Sequence, residues 1–242
     1  MKKALITGAN KGLGLEMARQ LAQQKVHVII TARDKARGEA ALQQLLNEKL
    51  PAELMLLDVS SEEDINRFVG EFKTKHDTLD ILINNAGVEQ DGGWGGNTVA
   101  TVSRSAVEST FATNFFGAVQ LTQALLPLIQ KSESGRIVNM SSIMGSLTLH
   151  SIKDGDLWNV KPFAYDASKT ALNQFTVHLA QLLAGSNASV ASAHPGWVKT
   201  DLGSDYAPMD VKSGAKTAVD LALATDTSWN GKYVHLGESL PW

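Results

Sequence analysis

The sequence predicts an α/β fold: one doubly wound parallel sheet of about seven strands, with helices on both faces. Three observations predict it. Short apolar, β-branched runs alternate with segments of helical period from the first residues onward. A glycine cluster follows the first apolar run directly. The chain has 242 residues, and α/β folds often reach about 200–250 residues without dividing. Residues 1–242 are therefore expected to form a single domain around a sizeable core.

The elements follow in order. Residues 3–7 read as a buried strand. Residues 14–24 read as a helix with Leu15, Ala18, Leu21 and Ala22 on one face. Residues 26–32 form a β-branched second strand, and residues 34–48 a helix that Asp34 can cap. Residues 53–59 are a third strand. Ser60 with Glu63 makes a capping-box pattern for a helix ending near Lys75. Residues 79–84 are a fourth strand, residues 103–130 one long helical region with Pro127 near its end, and residues 136–142 a fifth strand. A helix covers residues 164–183. Residues 190–194 and 232–236 are two more strands, separated by a helix at 213–224. The glycine-rich residues 91–97 are a loop, either a plain surface connection or the mouth of a site. Ligands on such a sheet bind beyond the strand C-termini, where the strand order reverses.

Composition excludes several classes. Lys plus Arg number 22 and Asp plus Glu 25, a net charge of −3, which is no nucleic-acid footprint. The absence of cysteine removes disulfides, thiolate zinc sites and cysteine nucleophiles, and fits a cytoplasmic protein. The six histidines are scattered and propose no metal site. The apolar run near residues 118–129 is broken by Gln120 and Gln123, so it reads as a buried helix and no membrane span is expected. The N-terminus has too short an apolar run for a signal peptide.

The first strand runs into Thr7-Gly8-Ala9-Asn10-Lys11-Gly12-Leu13-Gly14. Glycines there permit a tight turn, close approach of a pyrophosphate and packing of helix on strand. The free N–H groups of the following helix favour an anion. The pattern points to a dinucleotide. At the end of the second strand, where a NAD site usually carries an acid, stands Ala32, followed by Arg33 and Asp34. Arg33, Arg37 and Lys11 suit the extra 2′-phosphate of NADP. The rival reading has Asp34 on the ribose and the cations solvated; Asp34 as a helix cap with NADP(H) as cofactor is preferred. Asp58-Val59 ends the third strand, where an acid can accept from an adenine amino group or serve as a turn residue.

Tyr165 and Lys169 are four residues apart on a predicted helix and share a face. A nearby ammonium is expected to lower a phenol's pKa, making it a usable acid for carbonyl reduction and a base for the reverse. Alone, this spacing also fits a surface pair. Ser142 ends the fifth strand, where a hydroxyl can hydrogen-bond a substrate oxygen; Ser141 is its rival by one position.

Taken together these motifs resemble the short-chain dehydrogenase/reductase family along nearly the whole chain. They comprise Thr7–Gly14, Asp58, Asn84-Asn85-Ala86-Gly87, Asn114-Phe115-Phe116-Gly117, Ser142, Tyr165 with Lys169, and Pro195-Gly196 with Thr200. Within the family the likeness is to NADPH-dependent carbonyl reductases, carried by residues 7–12, 31–34 with Arg37, and 195–201. The resemblance implies a Rossmann-type fold and the following roles. Tyr165 gives the proton to the carbonyl oxygen, Lys169 lowers the tyrosine pKa and binds the nicotinamide ribose, and Ser142 holds the substrate oxygen. Asn114 supports a water-linked proton relay to Lys169. Asn84, Ala86 and Gly87 shape the cofactor floor, and Thr200 with the Val198 backbone meets the carboxamide. The cofactor set is then Gly8, Asn10, Lys11, Gly12, Leu13, Gly14, Arg33, Arg37, Asp58, Val59, Asn85, Ala86, Gly87, Tyr165, Lys169, Pro195, Gly196, Val198 and Thr200.

The interval from Ser142 to Tyr165 is longer than in many family members and shorter than in the animal carbonyl reductases with a large insertion there. The extra segment, residues 149–161, lies beside the substrate cleft or on the helix face used for oligomerisation. Homodimers and homotetramers are the family habit, and insertion-bearing reductases tend to be monomers. Met144, Trp94, Trp158, Trp197 and Tyr206 are candidates for an apolar substrate pocket, and His194 is read as a packing residue. The leading function is NADPH-dependent reduction of an aldehyde, ketone or quinone. The alternatives are an NADP-linked alcohol dehydrogenase working in oxidation and a low-turnover NADP(H)-binding sensor. A nucleotide-sugar epimerase or dehydratase ranks below these.

Overall fold

Each central strand sends alternate residues to opposite faces of the sheet, and both faces are dry. In the computed structural model, which describes residues 1–93 and 97–242, Ala4 and Ile6 join one core cluster while Leu5 joins the other. The same alternation separates Val28 and Ile30 from Ile29, and Ile81 and Ile83 from Leu82. That is why the strands read as continuous apolar runs. Full burial of one such Leu or Ile is worth about 1.5–3 kcal/mol, so the two clusters set the fold.

The sheet contains β1 (Lys3–Ile6), β2 (His27–Ala32), β3 (Ala52–Leu56), β4 (Ile81–Asn84), β5 (Arg136–Met140), β6 (Ser189–Ala193), β7 (Lys232–His235) and β8 (Glu238–Ser239). Its order is β3-β2-β1-β4-β5-β6-β7-β8, parallel from β3 to β7. The order reverses between β1 and β4, which makes the ends of those two strands the switch point. Helices α1 (Gly12–Gln23), α2 (Lys35–Asn47) and α8 (Val211–Leu223) cover one face; α3 (Glu62–Lys75), α5 (Ala118–Gln130) and α7 (Phe163–Leu182) cover the other. Helix α4 (Arg104–Phe111) and the one-turn α6 (Leu147–His150) complete the set among the described residues.

One expectation about local structure needs correction, and two gain detail. The expected parallel sheet of about seven strands is present as β1–β7, and among the described residues β8 adds an antiparallel edge on β7 through Leu236 and Gly237, both at positive φ. Two residues are too few to show a period. The cap of α3 is Ser61, which accepts from the Asp64 N–H, while Ser60 turns back to bond Asp58. The helical region 103–130 is continuous as expected, but α4 passes through a π-helical turn, Ala112–Gly117, before α5. Gly117 lies there against the Val59 carbonyl, which a Cβ would approach to 2.2 Å. The extra residue in the wider turn lets Asn114 face inward while α5 keeps its apolar stripe on the sheet.

A buried polar chain ties the central strands. The Asn84 amide donates to Thr122 Oγ1 at 2.9 Å and Asn139 Oδ1 at 2.8 Å. Asn139 donates to Thr176 Oγ1 at 2.9 Å, which meets Ser192 Oγ at 2.9 Å. Among the described residues, no helix is long and apolar enough to cross a membrane. Gly117→Ala should destabilise the protein by about 1–3 kcal/mol, because overpacking forces backbone shifts. Urea unfolding measures this, and an unchanged midpoint would show that α5 yields freely at Val59.

Candidate active site

The loops after β1 and β4 are laced together. Thr7 Oγ1 accepts from the N–H groups of Asn85 and Ala86, both at 2.9 Å, and the Asn85 side-chain amide donates back to the carbonyls of Thr7 at 2.7 Å and Gly8 at 3.2 Å. Gly8, at φ +63°, lies so close to Ala86 that an added Cβ would sit 3.0 Å from its Cα. A Cβ on Gly14 would fall 2.6 Å from the Asn85 amide nitrogen. Helix α1 starts at Gly12, and Lys11 at its N-cap position makes no side-chain cap bond, so the leading N–H groups face the cleft uncapped.

These loops wall a cleft of about 580 Å3 that runs along the strand C-termini. Its lining brings together Gly8, Asn10, Lys11, Gly12, Leu13 and Gly14 from the first loop, with Arg33, Arg37, Asp58 and Val59 from the ends of β2 and β3. Asn85, Ala86, Gly87, Tyr165, Lys169, Pro195 and Thr200 join them on the wall. Gly196 and Val198 are not on the wall: Gly196, at φ +89°, packs on Met209 and His235, and the buried Val198 pairs with Met209. Asn84 is turned into the polar chain beneath the sheet ends, and not onto a cofactor floor.

At the β2–β3 end of the cleft, Asp34 caps α2 by accepting from the Arg37 N–H at 2.8 Å, and Ala32 lies on the wall at the end of β2. Arg33 and Arg37 are exposed beside it. Lys11 is paired across the cleft with Asp201, so it is not simply grouped with the two arginines. Burial works to raise the Asp58 carboxyl, but hydrogen bonds from Ser60 and the Arg33 charge hold it below its ordinary value.

At the other end, α7 carries Tyr165, Ser168 and Lys169 on one buried face. Ser142 lies beside the Tyr165 hydroxyl and works to lower its pKa, while Ser141 lines the cleft wall. Lys169 Nζ donates to the Met140 carbonyl at 2.8 Å and stands 5.5 Å from the Tyr165 ring centre. The expected lowering of the phenol pKa is not what this arrangement gives. Burial pushes Tyr165 well above its ordinary value, helped by the charges of Asp166 and Glu89 and opposed by the Ser142 bond. Burial also pulls the Lys169 ammonium down to about 8. Asn114 and Ser142 stand behind the cleft wall. Asn114 is clamped from both sides: it accepts from the Val88 N–H at 2.8 Å and donates to the Val88 carbonyl at 2.8 Å and to Ser168 Oγ at 3.0 Å. Ser168 in turn donates to the Tyr165 carbonyl at 2.7 Å.

Residues 149–161 lie beside the tyrosine, because Leu157 packs in a cluster with Met144 and Tyr165. Of the aromatic pocket candidates, Trp197 and Tyr206 are exposed and Trp158 stacks under Lys161; none of these, nor Met144, is on the wall of the cleft. Trp94 lies outside the described residues. His194 is buried, with burial and the His235 charge pulling its imidazole down to about 3, as befits a packing residue. Among the described residues no acidic or imidazole cluster could hold a metal ion.

Sequence reasoning missed Val88, Glu89, Gln90, Thr113, Lys199, Asp201 and Leu202 on the wall. It also missed the positions behind the wall, Ser168 and Asp91. Asp91 is fully buried and accepts from the N–H groups of Ala164 and Tyr165, both at 3.0 Å. No local spacing signals an acid 73 residues before the helix it caps.

A model of the short chain dehydrogenase family matches residues 2–210. The chain is 30% identical to a (+)-neomenthol dehydrogenase of Capsicum annuum, over 97% of this chain and 96% of that protein. Among solved structures it resembles the NADPH-bound carbonyl reductase from chicken fatty liver, with 27% identity, TM-score 0.86, and 100% and 99% of the two chains covered. It also resembles the carbonyl reductase Sniffer of D. melanogaster, with 30% identity, TM-score 0.85 and full coverage of both chains at 100%.

Asp91 and Asp166 crowd one helix end. Burial, then the Asp91 charge, raises the Asp166 carboxyl to about 8, opposed by Lys161; His150 Nε2 is 3.5 Å away. An unfolded Asp titrates near 3.9. Between these values the folded state keeps a proton that the unfolded chain has lost, so stability falls as pH rises through that window. Asp166→Asn should therefore gain thermal stability over the parent progressively from about pH 5 to about pH 8.5. A Tm difference that is constant across this range would show that Asp166 titrates normally.

Proposed function

Because the chain belongs to the short chain dehydrogenase family, we propose that it is an NADPH-dependent reductase of an aldehyde, ketone or quinone carbonyl. The observation that carries the reading is that Tyr165 and Lys169 share one cleft wall at the strand ends with the glycine loop, with Ser142 beside the tyrosine. Residues 1–242 act as one dinucleotide-binding catalytic domain in this reading.

The residues present fit NADP(H). The uncapped start of α1 and the side-chain-free surfaces of Gly8 and Gly14 accept a pyrophosphate. Arg33 and Arg37 hold the 2′-phosphate, and Ala32 leaves room for it. Asp58 and Val59 receive the adenine. Lys169 holds the nicotinamide ribose, with Thr200 toward the carboxamide. The chemistry supplied there when NADPH is bound is a hydride for the carbonyl carbon. Ser142 holds the carbonyl oxygen as charge develops on it, and Tyr165 delivers a proton to the same oxygen. Asn114 supports a water-linked route by which the proton is replaced through Lys169. A cytoplasmic location and a small-molecule partner, with no nucleic acid or membrane, complete the reading. Light scattering would choose among monomer, homodimer and homotetramer.

The test is the initial rate of NADPH oxidation against a quinone, a vicinal diketone, an aromatic aldehyde and a β-keto ester, with NADH in parallel. Turnover with NADPH and much less with NADH supports the proposal. Silence across the panel with NADPH bound favours the sensor reading. Tyr165→Phe should lower kcat by about 10²–10⁴-fold while NADPH binding persists. Arg33→Ala or Arg37→Ala should raise the KM for NADPH about tenfold to a hundredfold and leave that for NADH nearly unchanged. A lower KM for NADH than for NADPH in the parent would overturn the cofactor assignment.

A further inference from the structure

Helix α7 begins at Phe163, and its N-cap residue is Pro162, which offers no side-chain acceptor. Its leading N–H groups therefore need a partner from elsewhere, since buried donors without one are costly. Asp91 supplies it. One carboxylate oxygen accepts from Ala164 and the other from Tyr165, both at 3.0 Å, and the side chain is fully buried. A carboxylate at this end also matches the helix dipole.

The arrangement reaches back to the cleft. Asp91 follows Glu89 and Gln90, which are on the cleft wall. The Glu89 carboxylate accepts from the backbone N–H groups of Asp91 and Gly93, and so folds the segment that presents the Asp91 side chain. Val88, one residue earlier, is held by Asn114. Tyr165 is thus fixed at its N–H by Asp91 and at its carbonyl by Ser168. Its backbone is held at both ends, with Ser142 beside its hydroxyl.

We propose that Asp91 is the positioning residue for Tyr165: by bonding the tyrosine's own backbone N–H, it sets where the phenol hydroxyl stands relative to Ser142. The inference rests on the reductase reading above. It goes beyond a cap that merely stabilises α7, because a displacement of about 1 Å at a reacting group can cost 10²-fold in rate.

The test compares Asp91→Ala and Asp91→Asn with Asp210→Ala, which removes a cap of the same chemistry from α8. Asp91→Ala should lower kcat about tenfold to a hundredfold, with KM for NADPH within about threefold of the parent. Asp91→Asn keeps one acceptor oxygen and should recover part of the loss. Asp210→Ala should lose thermal stability with kcat unchanged. Hydrogen exchange, which needs no turnover, should speed up at the Ala164 and Tyr165 amides in Asp91→Ala and leave α8 unaffected. Parental kcat in folded Asp91→Ala, or the same kcat loss in Asp210→Ala, would overturn the proposal. If Asp91→Ala does not fold, parental kcat and parental exchange in Asp91→Asn would do so. If the unaltered protein shows no turnover, the reductase reading fails by itself; unchanged exchange at residues 164 and 165 would then refute the anchoring separately.

Discussion

One hydroxyl holds the switch point together. Thr7 Oγ1 takes two backbone N–H groups from the loop after β4, and Asn85 returns its amide to the loop after β1. The close approach of these two loops follows from that tie. It draws Gly8 against Ala86 and Gly14 against Asn85, closer than any side chain would allow. It leaves the first turn of α1 aimed along the cleft, and it sets the path of the chain toward Val88 and Asn114. The loops are ordered by their own bonds, so less conformational freedom remains to be lost when a ligand arrives.

Burial is the second constraint. It moves Tyr165 and Lys169 in opposite directions on the pH scale, because it opposes charge on either group. Burial thereby pushes both toward neutrality. The ammonium over the ring does not reverse this, since it is committed to the Met140 carbonyl.

What could be read from the sequence was whatever repeats locally or sits at a fixed offset. The dry strands showed as β-branched runs because both faces are covered. Tyr165 and Lys169 showed because four residues bring a helix back to the same side. Asp34 was readable as a cap because it directly precedes its helix. The features that escaped depend on contacts between distant segments. The choice of Ser61 over Ser60 turns on Asp58, which captures Ser60. The pairing of Lys11 with Asp201 joins residues from opposite ends of the chain. Asp91 reads as a loop acid until α7 is placed above it. Pattern gave the scaffold, and packing decided the details of the site.

The π-helical turn at Ala112–Gly117 has a consequence for how this protein tolerates length changes. A π turn is an α-helix carrying one extra residue, and each residue advances an α-helix by about 100°. Deleting one residue there would regularise the backbone and improve its hydrogen bonds. It would also swing Asn114 off Val88 and Ser168, or else rotate the apolar stripe of α5 off the sheet. The local backbone and the global arrangement thus favour different lengths for the same segment. The longer one prevails because Asn114 and the α5 stripe must face inward together, so this stretch should resist deletion more strongly than its conformation alone would suggest.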